Sequence, residues 1–537
     1  MKNFKIYLPL MLSLVLIAGI YLGSKLTFNE SSPNTTFSLS AHKGGKLDHV
    51  MRYIMRDYVD EVEGDQLENR AINAILEKLD PHSQYITAAD FNEMNDPLLG
   101  SFEGIGVSFR IEKDTITVIN PLRGGPSERV GIMAGDRIIF IEDTLVAGVE
   151  VTNRDAMRQL KGPKGTRVNV KILRRGVKNL IPFTITRDVI PTYSLDIAYM
   201  PDENIGYIRL NKFSATTYNE FLAAARKLKS QGMQKLILDL RGNAGGYLKA
   251  ATDIADEFLM NGQLIVYTEG KNRPKQFAFA TQKGLLETEE IVVLLDESSA
   301  SASEIVAGAL QDNDRGTIIG RRSFGKGLVQ EQITMSDGSA IRLTVARYFT
   351  PTGRSIQKHY DGDFESYHHE PFDRYLNGEM MYEDSIPLAD SLKFITPGGK
   401  VVYGGGGIMP DIYVPLLSDS SLIYFNKVAN RGLLFQFAFD YADKNRPELN
   451  QYGNFETFTR EFIVDNSLFN EMIDWVNDHG ISTTPNEIAD SKDHIITLFK
   501  AYVARNLYDD EGFYPIYHRI DPIFQKAIET LRQNKAV

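Results

Sequence analysis

The spacing of apolar positions changes several times along the chain. An apolar run at 6–22, broken by Pro9, Ser13 and Gly19 and preceded by Lys2 and Lys5, opens it. Residues 26–45 are polar and read as a tether. Val50, Ile54 and Tyr58 then recur at helical spacing, as do Ala71, Ile72, Ile75 and Leu76, so 46–97 is expected to be helical. Between 98 and 187 the rhythm switches to alternation, at 115–119 and again at Val168, Val170 and Ile172. Asn153 is the expected cap of one helix there, carrying Ala156, Met157 and Leu160.

From about 190 apolar runs alternate with amphipathic stretches. Strands are predicted at 205–210, 236–240, 291–295 and 317–319. Helices fall between them, one with Leu248, Ala251, Ile254, Ala255 and Phe258 on one face. Strand–helix repetition implies a largely parallel sheet with right-handed crossovers. From 416 to 537 the pattern is helical and rich in Phe and Tyr, with the single tryptophan at Trp475; these aromatics are expected to form core.

With 537 residues, several domains are expected. A net charge of −11 argues against a nucleic-acid partner. The absence of cysteine excludes disulfides and thiolate chemistry. The run at 6–22 reaches the lower limit for crossing a bilayer. Large residues at 20–22 make a poor cleavage site, so an uncleaved anchor is preferred to a signal peptide. The lysines on its short side keep that side cytoplasmic and put the body outside. The expected location is the inner membrane, single-pass, with the body on the periplasmic or extracytoplasmic face.

Candidate chemistry concentrates at 291–330. A strand runs into a turn with Ser298, Ser299, Ser301 and Ser303, then a helix, then a loop holding Lys326 between Gly325 and Gly327. A serine hydroxyl needs a base beside it. Lysine serves only when neutral, and with an ordinary pKa of about 10.4 roughly one in a few thousand is neutral at pH 7. Burial away from carboxylates lowers that value. Gln330, a neutral amide four residues on, can orient the amine without stabilising its charge.

Two other readings compete. Ser301 and Glu304 also fit a capping box that merely opens a helix. The loop at 320–327 is a near-miss to a phosphate-binding loop, but Gly327 stands where Ser or Thr would hold magnesium, and a strand-like stretch follows where a helix should start. His82 and Ser83 are adjacent, so they cannot form a His–Ser catalytic pair and read as a structural turn; no metal ligand set is expected, because Pro371 interrupts the H-E-x-x-H pattern after His369 and Glu370. Residues 358–400 read as a solvated insertion.

The turn 299–304 (SASASE) and the downstream 324–330 (FGKGLVQ) together resemble the carboxyl-terminal processing, or tail-specific, serine proteases. In that family the middle serine of the turn is the nucleophile and a lysine twenty-five residues later is the base. The resemblance implies Ser301, Lys326 and an orienting Gln330 as catalytic residues. It also implies oxyanion donors at Ala302 and in the loop 239–246 (DLRGNAGG), at Gly245 or alternatively Gly246. The stretch 98–187 resembles a PDZ domain, with Gly104, Ile105, Gly106 and Val107 as the loop that binds a substrate's terminal carboxylate. The strings 79–83 (LDPHS) and 404–414 resemble the same family.

The implied architecture is multidomain α+β. It consists of a membrane segment (1–25), tether (26–45), helical region (46–97), PDZ-like β domain (98–187), crotonase-like α/β serine peptidase core (188–415) and helical C-terminal region (416–537). The implied activity is endoproteolysis near protein C-termini without metal or nucleotide cofactors. The partners are protein substrates with free C-termini and a membrane through 6–22, with an adaptor or self-association left open. A catalytically inactive PDZ scaffold is the alternative.

Overall fold

The computed structural model describes Ser13 and residues 45–122, 124–281, 283–416 and 420–533. The chain divides into two units, 1–68 and 69–537. In the first, the helix Lys46–Asp57 buries none of its residues. Among the described residues no helix is long and apolar enough to cross a membrane; the expected anchor at 6–22 lies outside them apart from Ser13.

In the second unit, residues after 98 first build a small antiparallel sheet. Its strands run in the order Val107–Ile111, Ile116–Pro121, Arg137–Ile141, Arg167–Leu173, Ile181–Thr186. Alternation in Arg167–Leu173 puts Val168, Val170 and Ile172 into a core with Ile116, Val118, Ile138 and Ile185. The helix Asn153–Leu160 is capped by Thr152, whose Oγ1 accepts the Asp155 N–H, and Asn153 is its first helical residue instead of its cap.

The α/β core is a six-stranded sheet ordered Leu195–Tyr199, Ile205–Leu210, Lys235–Asp239, Glu290–Leu295, Thr317–Gly320, Ile412–Tyr413. All neighbours pair in parallel except the first two strands. The inner strands are apolar on both faces because both are covered. The helices Thr217–Ser230, Leu248–Asp256 and Ala302–Asp312 cover one face.

The other face is covered by a helix from the far end of the chain. Pro522–Gln533 sets Ile523, Phe524, Ala527, Ile528 and Leu531 against Ile205, Tyr207, Ile237, Val292 and Leu294. This last helix comes from the region 416–537 and packs on the sheet of the α/β core. Periodicity shows that the helix has an apolar face and not what that face meets. The remaining C-terminal helices form their own core around Phe437, Phe458, Met472 and Phe499. Arg110 of the small β domain lies over the Phe439 ring of that region, 4.1 Å from its centroid.

A second antiparallel sheet flanks the core. In it Ala340–Phe349 pairs with Gln84–Ile86, Leu264–Gly270 and Leu328–Thr334.

Candidate active site

The strand Glu290–Leu295 delivers the chain into the 296–301 turn, and the helix Ala302–Asp312 leaves it with every residue buried. Ser301 sits at the junction with φ 54° and ψ −111°, a strained conformation for a residue with a Cβ. A serine on so sharp a strand-to-helix turn is thrust out of the sheet, as in nucleophile elbows.

The three neighbouring serines have different surroundings. Ser299 is wholly buried and donates its Oγ–H to the Leu240 carbonyl at 2.8 Å. Ser303 is wholly buried and donates to the Asn243 carbonyl at 2.9 Å. Ser301 is partly accessible. Its flanking serines bind the turn to the 239–246 loop and leave Ser301 facing outward.

Glu304 joins this turn to the lysine loop. Its side chain is completely buried. One carboxylate oxygen accepts the Ser323 hydroxyl at 2.5 Å and the Gly325 N–H at 2.7 Å. The other accepts the Ser301 N–H at 2.7 Å and the Lys326 N–H at 2.9 Å. Burial pushes its pKa up to about 7 against the pull of these donors. The Glu304 half of a capping box is present, its carboxylate taking the Ser301 N–H, but the same carboxylate also holds a loop more than twenty residues away. Tyr348 adds a second tie: its hydroxyl reaches the Ser301 carbonyl at 3.1 Å and the Lys326 carbonyl at 2.5 Å.

Lys326 is partly buried and donates to Gln330 Oε1 at 3.0 Å. Burial lowers its pKa, and the Arg342 guanidinium lowers it further, while the Asp80 and Glu304 carboxylates oppose the shift. Gln330 in turn donates from Nε2 to the His82 carbonyl at 2.5 Å. The turn at 80–83 therefore reaches the site.

The candidate oxyanion donors are less uniform. Ala302 N–H lies in the first turn of its helix, where intrahelical acceptors are missing. Gly245 lies against the serine turn: a Cβ there would stand 2.8 Å from Ser301 Cβ and 2.9 Å from Ala302 N, at φ +100°. Its N–H, however, donates to Asn243 Oδ1 at 2.9 Å. The loop is anchored from behind, where Arg241 makes paired bonds to Asp521 at 3.0 and 2.8 Å.

The insertion at 358–400 is not simply solvated. Arg374 donates to the carbonyls of Ser323 (2.8 Å) and Phe324 (3.2 Å), and Arg322 is paired with Glu379 at 2.5 and 2.6 Å. Tyr367 packs against Phe324 and His82. The segment buttresses the lysine loop; an arginine inside a charged run gives no sign in sequence that it will find carbonyl partners.

In the small β domain, Gly104 is paired with Asp188, and the Ile105 carbonyl accepts both the N–H and hydroxyl of Ser127. Gly106 has φ +72° and its carbonyl accepts the Leu122 N–H. Val107 opens the edge strand of the sheet, so one side of that strand has no ladder partner among the described residues. An edge of this kind can take an added strand.

The model of peptidase family S41 matches residues 204–365, the PDZ-domain model matches 104–183, and a family of unknown function matches 424–509. The chain is 37% identical over 347 residues to a carboxy-terminal-processing protease of Bartonella bacilliformis, covering 64% of this chain and 79% of that one. It is 34% identical over 361 residues to the carboxy-terminal processing protease CtpA of Bacillus subtilis, covering 66% and 76%. Among solved structures, a photosystem II D1 C-terminal processing protease is 26% identical, covers 68% of this chain and 86% of its own, and gives a TM-score of 0.35.

Proposed function

Because this chain belongs to the carboxy-terminal-processing serine proteases of peptidase family S41, we propose that Ser301 is its nucleophile and Lys326 its general base. Ser301 Oγ attacks the scissile carbonyl while neutral Lys326 takes the hydroxyl proton. Lys326 then returns the proton to the leaving amine. Water repeats the sequence on the acyl-enzyme and frees Ser301. Ala302 N–H supports the oxyanion; Gly245 can do so once its N–H leaves Asn243 Oδ1, and each such donor contributes about 3–4 kcal/mol in related chemistry.

The observation that carries this reading is the contrast among the serines. Ser299 and Ser303 spend buried hydroxyls on backbone carbonyls, and Ser301 is accessible and held to the lysine loop through Glu304 and Tyr348. Ser301→Ala and Lys326→Ala should each abolish peptide cleavage with the fold retained. The double variant should be no worse, because the two act as one unit. Full activity in Lys326→Ala discards the mechanism.

The PDZ domain selects substrates by their tails. The loop Gly104, Ile105, Gly106 and Val107 receives a terminal carboxylate, and the edge strand Val107–Ile111 pairs with the last substrate residues. Free-acid peptides are cleaved faster than amidated ones at sub-saturating concentration. Equal kcat/KM for the two ends this part of the proposal.

Residues 6–22 hold the enzyme in the cytoplasmic membrane with its body outside. Release by alkaline carbonate, or a mature N-terminus beyond Gly23, contradicts the anchor.

A further inference from the structure

We propose that Asp80 is a positioning residue of the peptidase reaction, acting on Lys326 through the His82 carbonyl and Gln330; this rests on the Ser301–Lys326 reading above. A terminal carboxamide can face Lys326 in two ways, and only one leaves the amine useful. With Oε1 toward the lysine, the amide accepts a lysine N–H, and the amine lone pair stays free for the serine proton. With the NH2 group toward it, that lone pair accepts an amide N–H and is consumed.

Gln330 alone has no preference between these arrangements. The His82 carbonyl decides, because a carbonyl only accepts and so requires Nε2 to face it. The observed pattern is that one: Nε2 donates to His82 O at 2.5 Å and Oε1 receives Lys326 Nζ at 3.0 Å.

Asp80 holds that carbonyl in place. Its Oδ1 accepts the N–H groups of His82 and Ser83, both at 2.9 Å. Its Oδ2 accepts the Ser83 hydroxyl at 2.6 Å. Oδ1 also takes the Thr344 hydroxyl at 3.1 Å, and Ser83 Oγ accepts the Thr344 N–H at 3.1 Å. Thr344 is the residue opposite Gln330 in the ladder, next to a register shift between Val329 and Gln330. One carboxylate thus fixes both the turn that presents the carbonyl and the strand position facing the glutamine. The His82 ring is held separately, with Nε2 2.9 Å from the Tyr367 hydroxyl.

The test is a mutant cycle on the purified full-length enzyme, read as kcat and KM for a free-acid peptide, with circular dichroism as a check on folding. Asp80→Ala should lower kcat by about 10²-fold, the lower end of what a proton-transfer group contributes, with KM within about threefold. Asp80→Asn keeps an acceptor oxygen for the two N–H groups and should lose no more than about threefold. The decisive comparison is Asp80→Ala in the Gln330→Ala background, read as kcat on the pH plateau so that the direct pull of the Asp80 charge on the Lys326 pKa drops out; there it should cost less than about threefold, because the hydrogen-bonded route to Lys326 is already cut. Multiplicative losses in the double variant mean that Asp80 is merely structural and overturn the proposal, while leaving the dyad intact. Full activity in Lys326→Ala sinks the dyad instead. If Asp80→Ala does not fold, Ser83→Ala carries the same cycle with the same two outcomes.

Discussion

Glu304→Gln tests the idea that a buried carboxylate holds nucleophile and base in register. The wild-type side chain accepts three backbone N–H groups and one hydroxyl. Glutamine keeps one acceptor oxygen. Its best placement turns that oxygen to the N–H groups of Ser301 and Lys326 and its NH2 group to Ser323, whose oxygen can accept. The Gly325 N–H then faces another donor. The Ser323 O–H loses its acceptor too; each buried unpaired donor costs about 1–3 kcal/mol, so the loss is at least about 5- to 150-fold at roughly 1.4 kcal/mol per tenfold. Steady-state cleavage of a free-acid peptide should show that loss in kcat, with KM within about threefold.

The pH profile adds an independent sign. Below about 7 the wild-type carboxylate takes a proton on an oxygen that already faces two donors, so its acid limb should reflect Glu304 as well as Lys326. Glu304→Gln removes that titration and also a charge that raises the lysine pKa. Its acid limb should therefore be shallower and lie at lower pH. Unchanged kcat from pH 5.5 to 9 would refute the role given to Glu304.

Arg342→Gln removes a positive charge that lowers the Lys326 pKa; the acid limb of kcat/KM should move to higher pH, and a shift to lower pH contradicts the assignment. Gly245→Ala puts a Cβ 2.8 Å from Ser301 Cβ at φ +100°, and kcat should fall at least about 10²-fold, the scale of one lost oxyanion donor, measured against an unchanged circular dichroism spectrum. A chain ending before Pro522 uncovers the sheet face that Ile523, Phe524, Ile528 and Leu531 bury; at about 1.5–3 kcal/mol each, roughly 6–12 kcal/mol is lost, comparable with a domain's whole stability. That chain should be insoluble or protease-sensitive, and native-like melting would show the helix to be dispensable.

Features local in sequence were legible. The strings at 299–304 and 324–330, through the family they resemble, single out Ser301, Lys326 and Gln330 as candidates, and the apolar runs at 205–210, 236–240 and 291–295 announce buried strands. Contacts closed over long separations were not legible. Gln330 meets a carbonyl 248 residues away, and Arg241 meets Asp521 across 280. A backbone acceptor has no side-chain signature at all, so His82 could not be singled out by type. Glu304 was visible as a capping residue because its bond to Ser301 N–H is local; its grip on Gly325 and Lys326 depends on how the loop returns. The engagement of Gly245 N–H by Asn243 likewise depends on one side-chain torsion.

The central claim is that Ser301 is activated by Lys326. It is tested most directly by reacting the full-length enzyme with a fluorophosphonate and mapping the adduct by peptide mass spectrometry. One phosphonyl group should appear, on Ser301, at a rate that rises with pH along the same limb as kcat/KM. Labelling should be absent in Lys326→Ala, although Ser301 remains. An adduct on Ser299, Ser303 or another residue, or labelling of Lys326→Ala at the wild-type rate, would contradict the account.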